Sequence, residues 1–284
     1  MIPIFYCGND RIFEGVFLSA VSVARRTEEA LEIRILTMDD SAANPKYLPI
    51  TKEHVDTLDR ALKRFHPESR AVRVDLTKEF VDAFDGGKNL KNSYTPYALL
   101  RLLADDPAVI PYDKAIYLDI DTMACRDIRE LWDIDISEYE YGAVLDYMGT
   151  FWVAKDYCNS GVLLLNLAKI RETGMFRACR KLIREKWFAM PDQSAIHRSA
   201  TARYTLERRF NEQRGITPET VIKHFNKGIV WFPFHIYNIK QWQRDAVHKR
   251  LKITHFDTDY AFYDEFMKED AGCATAEAVP ATRA

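Results

Sequence analysis

Short apolar runs alternate with helical spacings along the first part of the chain. Residues 2–6 and 33–38 are apolar runs bounded by polar residues, and residues 13–25 between them carry hydrophobic side chains at helical spacing. This order predicts two parallel strands joined by a crossover helix. Polar residues at the carboxyl ends of such strands are candidates for a ligand site, because open α/β sheets bind ligands there.

The same two patterns continue through the rest of the chain. Further strands are predicted at residues 71–76, 115–118, 141–145, 162–165 and 221–225, and further helices at 51–65, 94–104 and 175–187. Residues 82–93, which include Gly86 and Gly87, are predicted to form a surface loop. The alternation of strands and helices predicts an α/β fold.

Composition narrows the class of protein. The 284 residues are 47% hydrophobic and 29% charged, as in ordinary soluble globular proteins. A net charge of −2 supplies no positive field for a general nucleic-acid binder. Five widely spaced cysteines indicate free thiols in a reducing compartment, and we see neither a leader sequence nor the ~20 apolar residues of a spanning helix. We therefore expect a cytoplasmic protein.

Two acidic residues follow the strand predicted at residues 115–118. Asp119 and Asp121 are separated by Ile120, so in an extended backbone both carboxylates point to the same side. Such a pair suits Mg²⁺ or Mn²⁺, which take few protein carboxylates and complete their coordination with phosphate oxygens and water. A solvated strand end explains the same triplet, and the triplet alone favours that explanation.

Other polar residues stand where predicted elements begin or end, and each has an ordinary structural explanation. Asn9 and Asp10 fit a turn or a helix cap, and Asp192 with Gln193 fits a helix cap. Asn159, ahead of an apolar run, fits a hydrogen-bonded structural amide. A lone histidine beside apolar neighbours, such as residue 224, is usually a packing or surface residue.

The C-terminal part of the chain is basic and aromatic. Between residues 223 and 252, seven Lys or Arg residues accompany one acid, Asp245, and several aromatic residues lie among them. This pattern has three explanations: the segment binds an anionic ligand, it lies against a membrane surface, or it is a helix packed on the domain with its basic face in solvent. We favour the packed helix. Residues 269–284 are rich in small residues and are predicted to form a disordered tail.

Taken in order, these motifs resemble one family. The motifs follow one another in the order Asn-Asp, Asp-x-Asp, Asn-x-Gly-Val-Leu-Leu-x-Asn-Leu, Asp-Gln, Phe-Asn and a late His. The strongest parts are YDKAIYLDIDTMACRDIRELW and YCNSGVLLLNL. The chain resembles the retaining glycosyltransferases of family 8, which include glycogenin and bacterial lipopolysaccharide galactosyl- and glucosyltransferases. The resemblance implies a GT-A fold, with a Rossmann-like mixed sheet flanked by helices over residues 1–230. It also implies a small helical extension packed on that domain at residues 231–268.

The resemblance implies roles for individual residues. Asp119 and Asp121 match the metal-binding Asp-x-Asp, with Ile120 between them at the nucleotide-sugar site, and His224 matches a third metal contact. Lys227 matches, at a shorter spacing, the lysine that contacts the diphosphate.

The other matches surround the donor. Asn9 and Asp10 fall where the family holds uracil and ribose, and Asn159, Asp192 and Gln193 match residues around the donor sugar. The implied cofactor is a divalent metal, and the implied donor substrate is a UDP-sugar.

One acceptor residue is implied, and several positions depart from the family. Asp146 matches an acid near the acceptor pocket of bacterial members. Leu99 stands where several relatives carry an Arg. Arg101, two residues on, is a candidate to take over the phosphate contacts, although on an α-helix it points about 200° away. Ile12 replaces a Tyr that stacks near the uracil in glycogenin, and Ser194 replaces the second acid of an Asp-Gln-Asp. These departures leave the donor and the acceptor open.

The matches predict a metal-dependent retaining hexosyltransferase. It would move glucose or galactose from UDP-glucose or UDP-galactose to a glycan or glycolipid of the bacterial cell envelope, as in lipopolysaccharide synthesis. A histidine ligand favours Mn²⁺ over Mg²⁺. Because the neutral amide of Gln193 is a poor nucleophile, we expect front-face attack, with Asp192 and Gln193 orienting the sugar.

Two other classes of protein stay open. A metal-dependent nucleotidyltransferase should carry a basic triphosphate-binding loop, and residues 6–12 offer only Arg11. A catalytically inactive nucleotide-sugar-binding protein is kept open by Leu99 and Ser194. No nucleic-acid partner is expected, and the basic segment at residues 231–268 allows peripheral contact with the inner face of the membrane.

Overall fold

Buried strands and amphipathic helices build a layered α/β fold, described by a computed structural model for residues 1–90, 95–232 and 234–277. The strands are β1 (Ile2–Cys7), β2 (Leu31–Thr37), β3 (Arg70–Asp75), β4 (Lys114–Leu118), β5 (Thr122–Ala124), β6 (Tyr141–Val144), β7 (Val162–Asn166), β8 (Arg203–Leu206), β9 (Ile222–His224), β10 (Gly228–Trp231) and β11 (Phe234–Tyr237). Seven of them form one sheet in the order β3-β2-β1-β4-β7-β6-β8.

Helices cover both faces of this sheet. They are α1 (Phe13–Ala24), α2 (Lys52–Lys63), α3 (Thr77–Phe84), α4 (Arg129–Trp132), α5 (Gly149–Trp152), α6 (Leu167–Thr173), α7 (Met175–Glu185), α8 (Pro191–Ser199), α9 (Arg244–Ala246) and α10 (Asp257–Glu277). Shorter 3₁₀ helices occupy Asp10–Ile12, Pro96–Leu103 and Arg208–Asn211, and a π-helical turn occupies Val247–Leu251. Within the described ranges, no helix has both the length and the apolar character needed to cross a membrane.

Strand direction brings several loops to one edge of the sheet. β3, β2, β1 and β4 run parallel, whereas β7 runs antiparallel to both β4 and β6. The amino end of β7 therefore lies beside the carboxyl ends of β4 and β6, and Leu118 pairs with Val162. Residues that follow β4 and β6 consequently meet residues that precede β7.

Two apolar clusters hold the layers together. On one side, Phe17 of α1 and Leu58 of α2 join Ile33 of the sheet in one buried cluster. On the other side, Leu100 of the 3₁₀ helix and Phe176 of α7 belong to a second cluster. Strands buried on both faces explain why the sequence of β4 is continuously apolar after Lys114.

Two segments differ from the helices and loops predicted from sequence. Residues 96–103 form a 3₁₀ helix within the α-helix predicted at 94–104. Helix α3 was not predicted, and its end enters the loop predicted at 82–93, of which residues 91–94 lie outside the described residues. The apolar contacts of Phe80 and Phe84 stabilise α3, and short-range sequence signals did not reveal them.

The C-terminal segment forms a hairpin and a long helix, and its predicted boundaries at residues 230 and 268 stay predictions. β10 and β11 form a hairpin in which Gly228 pairs with Tyr237, so the domain boundary predicted at residue 230 falls inside a strand. Helix α10 extends to Glu277, where a disordered tail was predicted from residue 269; residues 278–284 lie outside the described residues. Contacts with α2 explain the added order, because Asp270 accepts hydrogen bonds from Arg60 and Thr57.

Helix α10 is tied to α1 by a buried acid, which generates a stability prediction. The fully buried Asp259 pairs with Arg25 at 3.0 Å and Arg26 at 2.8 Å. Asp259→Ala leaves both guanidinium groups without this partner, so the free energy of unfolding in urea should fall by about 2 kcal/mol. Asp245→Ala is the matched control, because the Asp245 side chain is 91% exposed. Equal stability of the two variants would contradict this anchoring role.

Candidate functional site

Three side chains that commonly bind metals meet where β4 ends. Asp119 follows β4, Asp121 precedes β5, and His224 ends β9, whose pairing with β5 sets His224 opposite Thr122. Ligand atoms of the three residues lie within 4.8 Å of one another. Nε2 of His224 is 3.2 Å from Asp121 Oδ1 and 3.8 Å from Asp119 Oδ2. The structure thus brings together the three metal ligands implied by the family resemblance.

The chemistry of this cluster fits a divalent cation. Two carboxylates and one imidazole nitrogen form a donor set suited to Mn²⁺ and similar metals. Burial alone would raise the pKa of Asp121, but the adjacent His224 ring and Lys240 ammonium hold that pKa well below its ordinary value. A buried carboxylate that stays ionised is ready to bind a cation.

Lys240 is a site residue that sequence reasoning missed. Its ammonium forms an ion pair with Asp121 and donates a hydrogen bond to the Phe225 carbonyl at 3.0 Å. The predicted Lys227 is exposed and lines the same cavity. Because the β10–β11 hairpin separates Lys240 from His224 in sequence, the family spacing could not identify it.

A chain of hydrogen bonds fixes the tautomer of His224. Asp146 Oδ2 accepts from Asn159 Nδ2 at 2.8 Å, and Asn159 Oδ1 accepts from Asn211 Nδ2 at 2.9 Å. The remaining amide oxygen of Asn211 lies 2.9 Å from His224 Nδ1. Because an ionised carboxylate only accepts hydrogen bonds, it orients both amides and places the ring hydrogen on Nδ1. Nε2 faces Asp119 and Asp121, so it is the ring atom that would bind a metal in place of a proton.

Asn211 therefore has a role that sequence reasoning did not assign. It ends the 3₁₀ helix after β8 and is fully buried. The Phe-Asn pair of the family motif ends in Asn211, and this pair was the sequence feature that could have pointed to it. The partner of its side chain, however, is set by the fold rather than by local sequence.

Arg101 lies inside the site, contrary to the expectation that its helical angle turns it away. Its guanidinium pairs with Asp119 at 2.9 Å and Asp192 at 3.2 Å, and it lies 4.0 Å from the ring centre of Tyr117. Burial opposes its charge, but Tyr117, Asp192 and Asp119 outweigh that effect and raise the pKa of Arg101. The helical angle was misleading because this helix is buried around most of its circumference, as Leu99 also shows.

Asp192 and Gln193 direct their side chains to the loop before β7. Asp192 Oδ2 accepts from Ser160 Oγ at 3.0 Å, and Gln193 Oε1 accepts from the backbone N–H of Ser160 at 3.0 Å. Gln193 Nε2 donates to Asp146 Oδ2 at 3.4 Å. The N-cap of α8 is Met190, so the capping alternative does not describe Asp192 and Gln193.

Asn9 and Asp10 make contacts that local structure explains. Asn9 caps the following 3₁₀ helix by accepting from the backbone N–H of Arg11 at 3.2 Å. Asp10 Oδ1 accepts from the backbone N–H of Thr51 at 3.1 Å and lies 2.7 Å from His54 Nδ1. Their contact with uracil and ribose stays a prediction.

One cavity of 1180 Å³ adjoins most of these residues. The predicted residues along its wall are Asp119, Ile120, Asp121, Asp146, Asn159, Asp192, Gln193, His224 and Lys227. Arg101, Lys240, Tyr147 and Arg214 also line it. The cavity thus combines a candidate metal-binding cluster, three lysines (Lys223, Lys227 and Lys240) and several groups able to bind hydroxyls.

Known proteins share this sequence pattern. The family model described as Glycosyl transferase family 8 matches residues 3–258. Glycosyltransferase GlyA of Streptococcus pneumoniae is 28% identical over 142 residues, which cover 50% of this chain and 19% of GlyA. General stress protein A of Bacillus subtilis is 23% identical over 247 residues, which cover 80% of this chain and 82% of that protein.

A solved structure shares the fold. The galactosyltransferase LgtC, in complex with donor and acceptor sugar analogs, superposes with a TM-score of 0.67 at 18% identity, covering 93% of this chain and 96% of LgtC. The GT-A fold predicted from sequence is therefore confirmed. With the family model matching nearly the whole chain, the protein belongs to glycosyl transferase family 8.

Proposed function

We propose that this protein is a metal-dependent retaining hexosyltransferase. It moves glucose or galactose from UDP-glucose or UDP-galactose to a glycan or glycolipid acceptor of the bacterial cell envelope. The observation that carries the proposal is the cluster of Asp119, Asp121 and His224 on the wall of a cavity that also contains Asp192 and Gln193. Family membership supports sugar transfer over nucleotidyl transfer.

Asp119, Asp121 and His224 would hold the metal, with Mn²⁺ favoured over Mg²⁺ by the imidazole nitrogen. When bound, the cation supplies Lewis-acid neutralisation of the charge that develops on the UDP leaving group. Lys240 adds a second positive charge at the same place, because its ammonium already contacts Asp121. Lys240, beside the metal cluster, is thus a second candidate for the diphosphate contact that the resemblance implies for Lys227.

Asp192 and Gln193 orient the donor sugar for front-face attack. The amide oxygen of Gln193 already accepts from the backbone N–H of Ser160 at 3.0 Å and its hydroxyl at 3.3 Å. An amide is neutral and a poor nucleophile. These two hydrogen bonds further occupy its oxygen, so we expect it not to attack the sugar. The Arg101 guanidinium contacts Asp192 Oδ2 at 3.2 Å, the same oxygen that accepts from the Ser160 hydroxyl, and so helps to fix this carboxylate.

The two departures that kept an inactive protein open, Leu99 and Ser194, are compatible with an intact site. Arg101 supplies a guanidinium at the metal cluster although Leu99 occupies the position where relatives carry Arg. The hydroxyl of Ser194 bonds the hydroxyl of Tyr157 at 2.8 Å. Both observations support catalysis over binding alone.

Peripheral membrane contact through residues 231–268 stays a prediction. Phe232 is 93% exposed at the turn of the β10–β11 hairpin, which supports such a contact. Ile239, Val247 and Phe256 instead pack inward in a third apolar cluster. Among the described side chains of this segment, the large apolar ones that are exposed are Phe232 and Ile236.

Release of UDP tests the proposed reaction. With Mn²⁺, the protein should release UDP from UDP-glucose or UDP-galactose, and Asp119→Asn should lower kcat/KM by roughly 100-fold or more. Asp113→Asn is the control, since that side chain lies just before β4 and is 85% exposed. No release from any UDP-sugar, or release insensitive to EDTA and to Asp119→Asn, would refute the proposal.

Metal affinity tests the hydrogen-bond chain behind His224. Asn211→Ala removes the acceptor that holds the Nδ1 hydrogen, so calorimetric titration with Mn²⁺ alone should show about tenfold weaker binding. Asn226→Ala is the matched control, because Asn226 lines the same cavity and bonds Gln213 rather than a metal ligand. Equal Mn²⁺ affinities in the two variants would rule out this role for Asn211.

Donor affinity separates the two lysines. Lys240→Met removes the ammonium beside Asp121, so the KM for the UDP-sugar should rise about tenfold. Lys227→Met should raise it less, because Lys227 lies on the exposed side of the cavity. A larger rise in KM for Lys227→Met than for Lys240→Met would instead assign the diphosphate contact to Lys227.

A further inference from the structure

The loop between β6 and β7 exposes several aromatic side chains. Phe151 is 78% exposed, Trp152 is 69% exposed and Tyr147 is 50% exposed. The rings of Phe151 and Trp152 meet edge to face with their centres 4.9 Å apart. Exposed apolar patches of this kind mark ligand grooves or interaction surfaces, because leaving them in water is unfavourable.

This aromatic patch is continuous with the cavity. Tyr147 and Met148 line the cavity, and both adjoin Asp146. Asp146 Oδ1 accepts from the backbone N–H groups of Met148 at 3.0 Å and Gly149 at 2.6 Å, while its Oδ2 accepts from Asn159. One carboxylate therefore fixes α5 relative to the hydrogen-bond chain that leads to the metal cluster.

Close packing holds α5 in place. A Cβ atom at Gly149 would come within 2.1 Å of the Tyr157 ring, so only glycine allows this approach. Tyr157 is itself fully buried and bonds Ser194. The exposed rings of Phe151 and Trp152 are thus carried by a fixed helical turn rather than by an unsupported loop.

Arg214 adds polar donors to the patch. Its guanidinium lies 3.8 Å from the ring centre of Tyr147, and within the described ranges it has no hydrogen-bond or ion-pair partner. The backbone carbonyl of Arg214 accepts from the buried Lys223 ammonium at 2.6 Å, which holds this loop against the cavity. The N–H groups of Arg214 are free to bind hydroxyls at the cavity mouth.

We propose that Tyr147, Phe151, Trp152 and Arg214 form an aromatic platform that binds a pyranose ring of an oligosaccharide acceptor. A pyranose has an apolar face of C–H groups and a rim of hydroxyls, which match aromatic rings beside a guanidinium. The proposal rests on the proposed function and narrows its acceptor to a glycan with at least one ring beyond the reacting sugar.

The charges around the patch favour a glycan over a lipid surface. An anionic membrane attracts clusters of Lys and Arg, whereas the exposed rings here are accompanied by the single guanidinium of Arg214, and the neighbouring exposed residues Lys155 and Asp156 carry opposite charges. Its inner border is the polar wall formed by Asn159 and Gln193. Hydroxyl groups of a sugar can bond these side chains, and acyl chains cannot.

Sugar binding without turnover tests the platform. Maltotriose and cellotriose are titrated into the full chain with Mn²⁺ and UDP, and binding is followed by saturation-transfer difference NMR, with glycerol as a polyol that lacks a ring. At least one trisaccharide should bind, and Phe151→Ala/Trp152→Ala should weaken that binding roughly tenfold. Trp187→Ala is the matched control, because Trp187 is 62% exposed and follows α7.

Three results would overturn the platform. The first is that neither trisaccharide binds the wild-type chain. The second is that the double variant binds the trisaccharide with the same affinity as the wild-type chain. The third is that the double variant loses only its binding to phosphatidylethanolamine–phosphatidylglycerol vesicles. The last result would assign the patch to a membrane. UDP release in Mn²⁺ without acceptor is measured in parallel. Because it does not involve the platform, its loss or persistence reports on the proposed function separately.

Discussion

Compensation of buried negative charge at one edge of the sheet constrains the rest of the site. Asp121 and Asp192 are buried and Asp119 is partly exposed on the wall of the same cavity, where uncompensated carboxylates would repel one another. Arg101 joins Asp119 to Asp192, and Lys240 neutralises one oxygen of Asp121. The residues proposed to hold the donor are therefore positioned by the same ion pairs that stabilise these carboxylates in the fold.

Topology explains why these groups meet. The antiparallel β7 brings the loop containing Asn159 and Ser160 to the carboxyl ends of β4 and β6, and the β5–β9 pair places His224 beside Asp121. From Asp146, hydrogen bonds run through two amides to the His224 ring. Asp146, proposed to lie near the acceptor, and His224, proposed to bind the metal, are thus parts of one connected hydrogen-bond network.

Site residues could be predicted from sequence where they belong to a short motif. The Asp-x-Asp triplet alone favoured a solvated strand end, and the ordered motif singled out both acids and His224 as metal ligands; the backbone at residues 120–121 forms a turn rather than the extended strand expected. Arg101 was misjudged, since a helical angle gives its direction relative to Leu99 but not which side of the helix faces the site. Lys240 could not be found because a hairpin intervenes, and the order of α10 depends on partners in α1 and α2. These are long-range contacts that no local pattern contains.

The central claim is that Asp119, Asp121 and His224 bind the metal that receives the nucleotide diphosphate. Crystals grown with Mn²⁺ and UDP, measured at the manganese absorption edge, test it directly through anomalous scattering. We predict one anomalous peak within coordination distance of all three side chains, with the UDP phosphates beside it and Lys240 near the same oxygens. An anomalous peak elsewhere, or UDP bound with no metal at these residues, would contradict the claim.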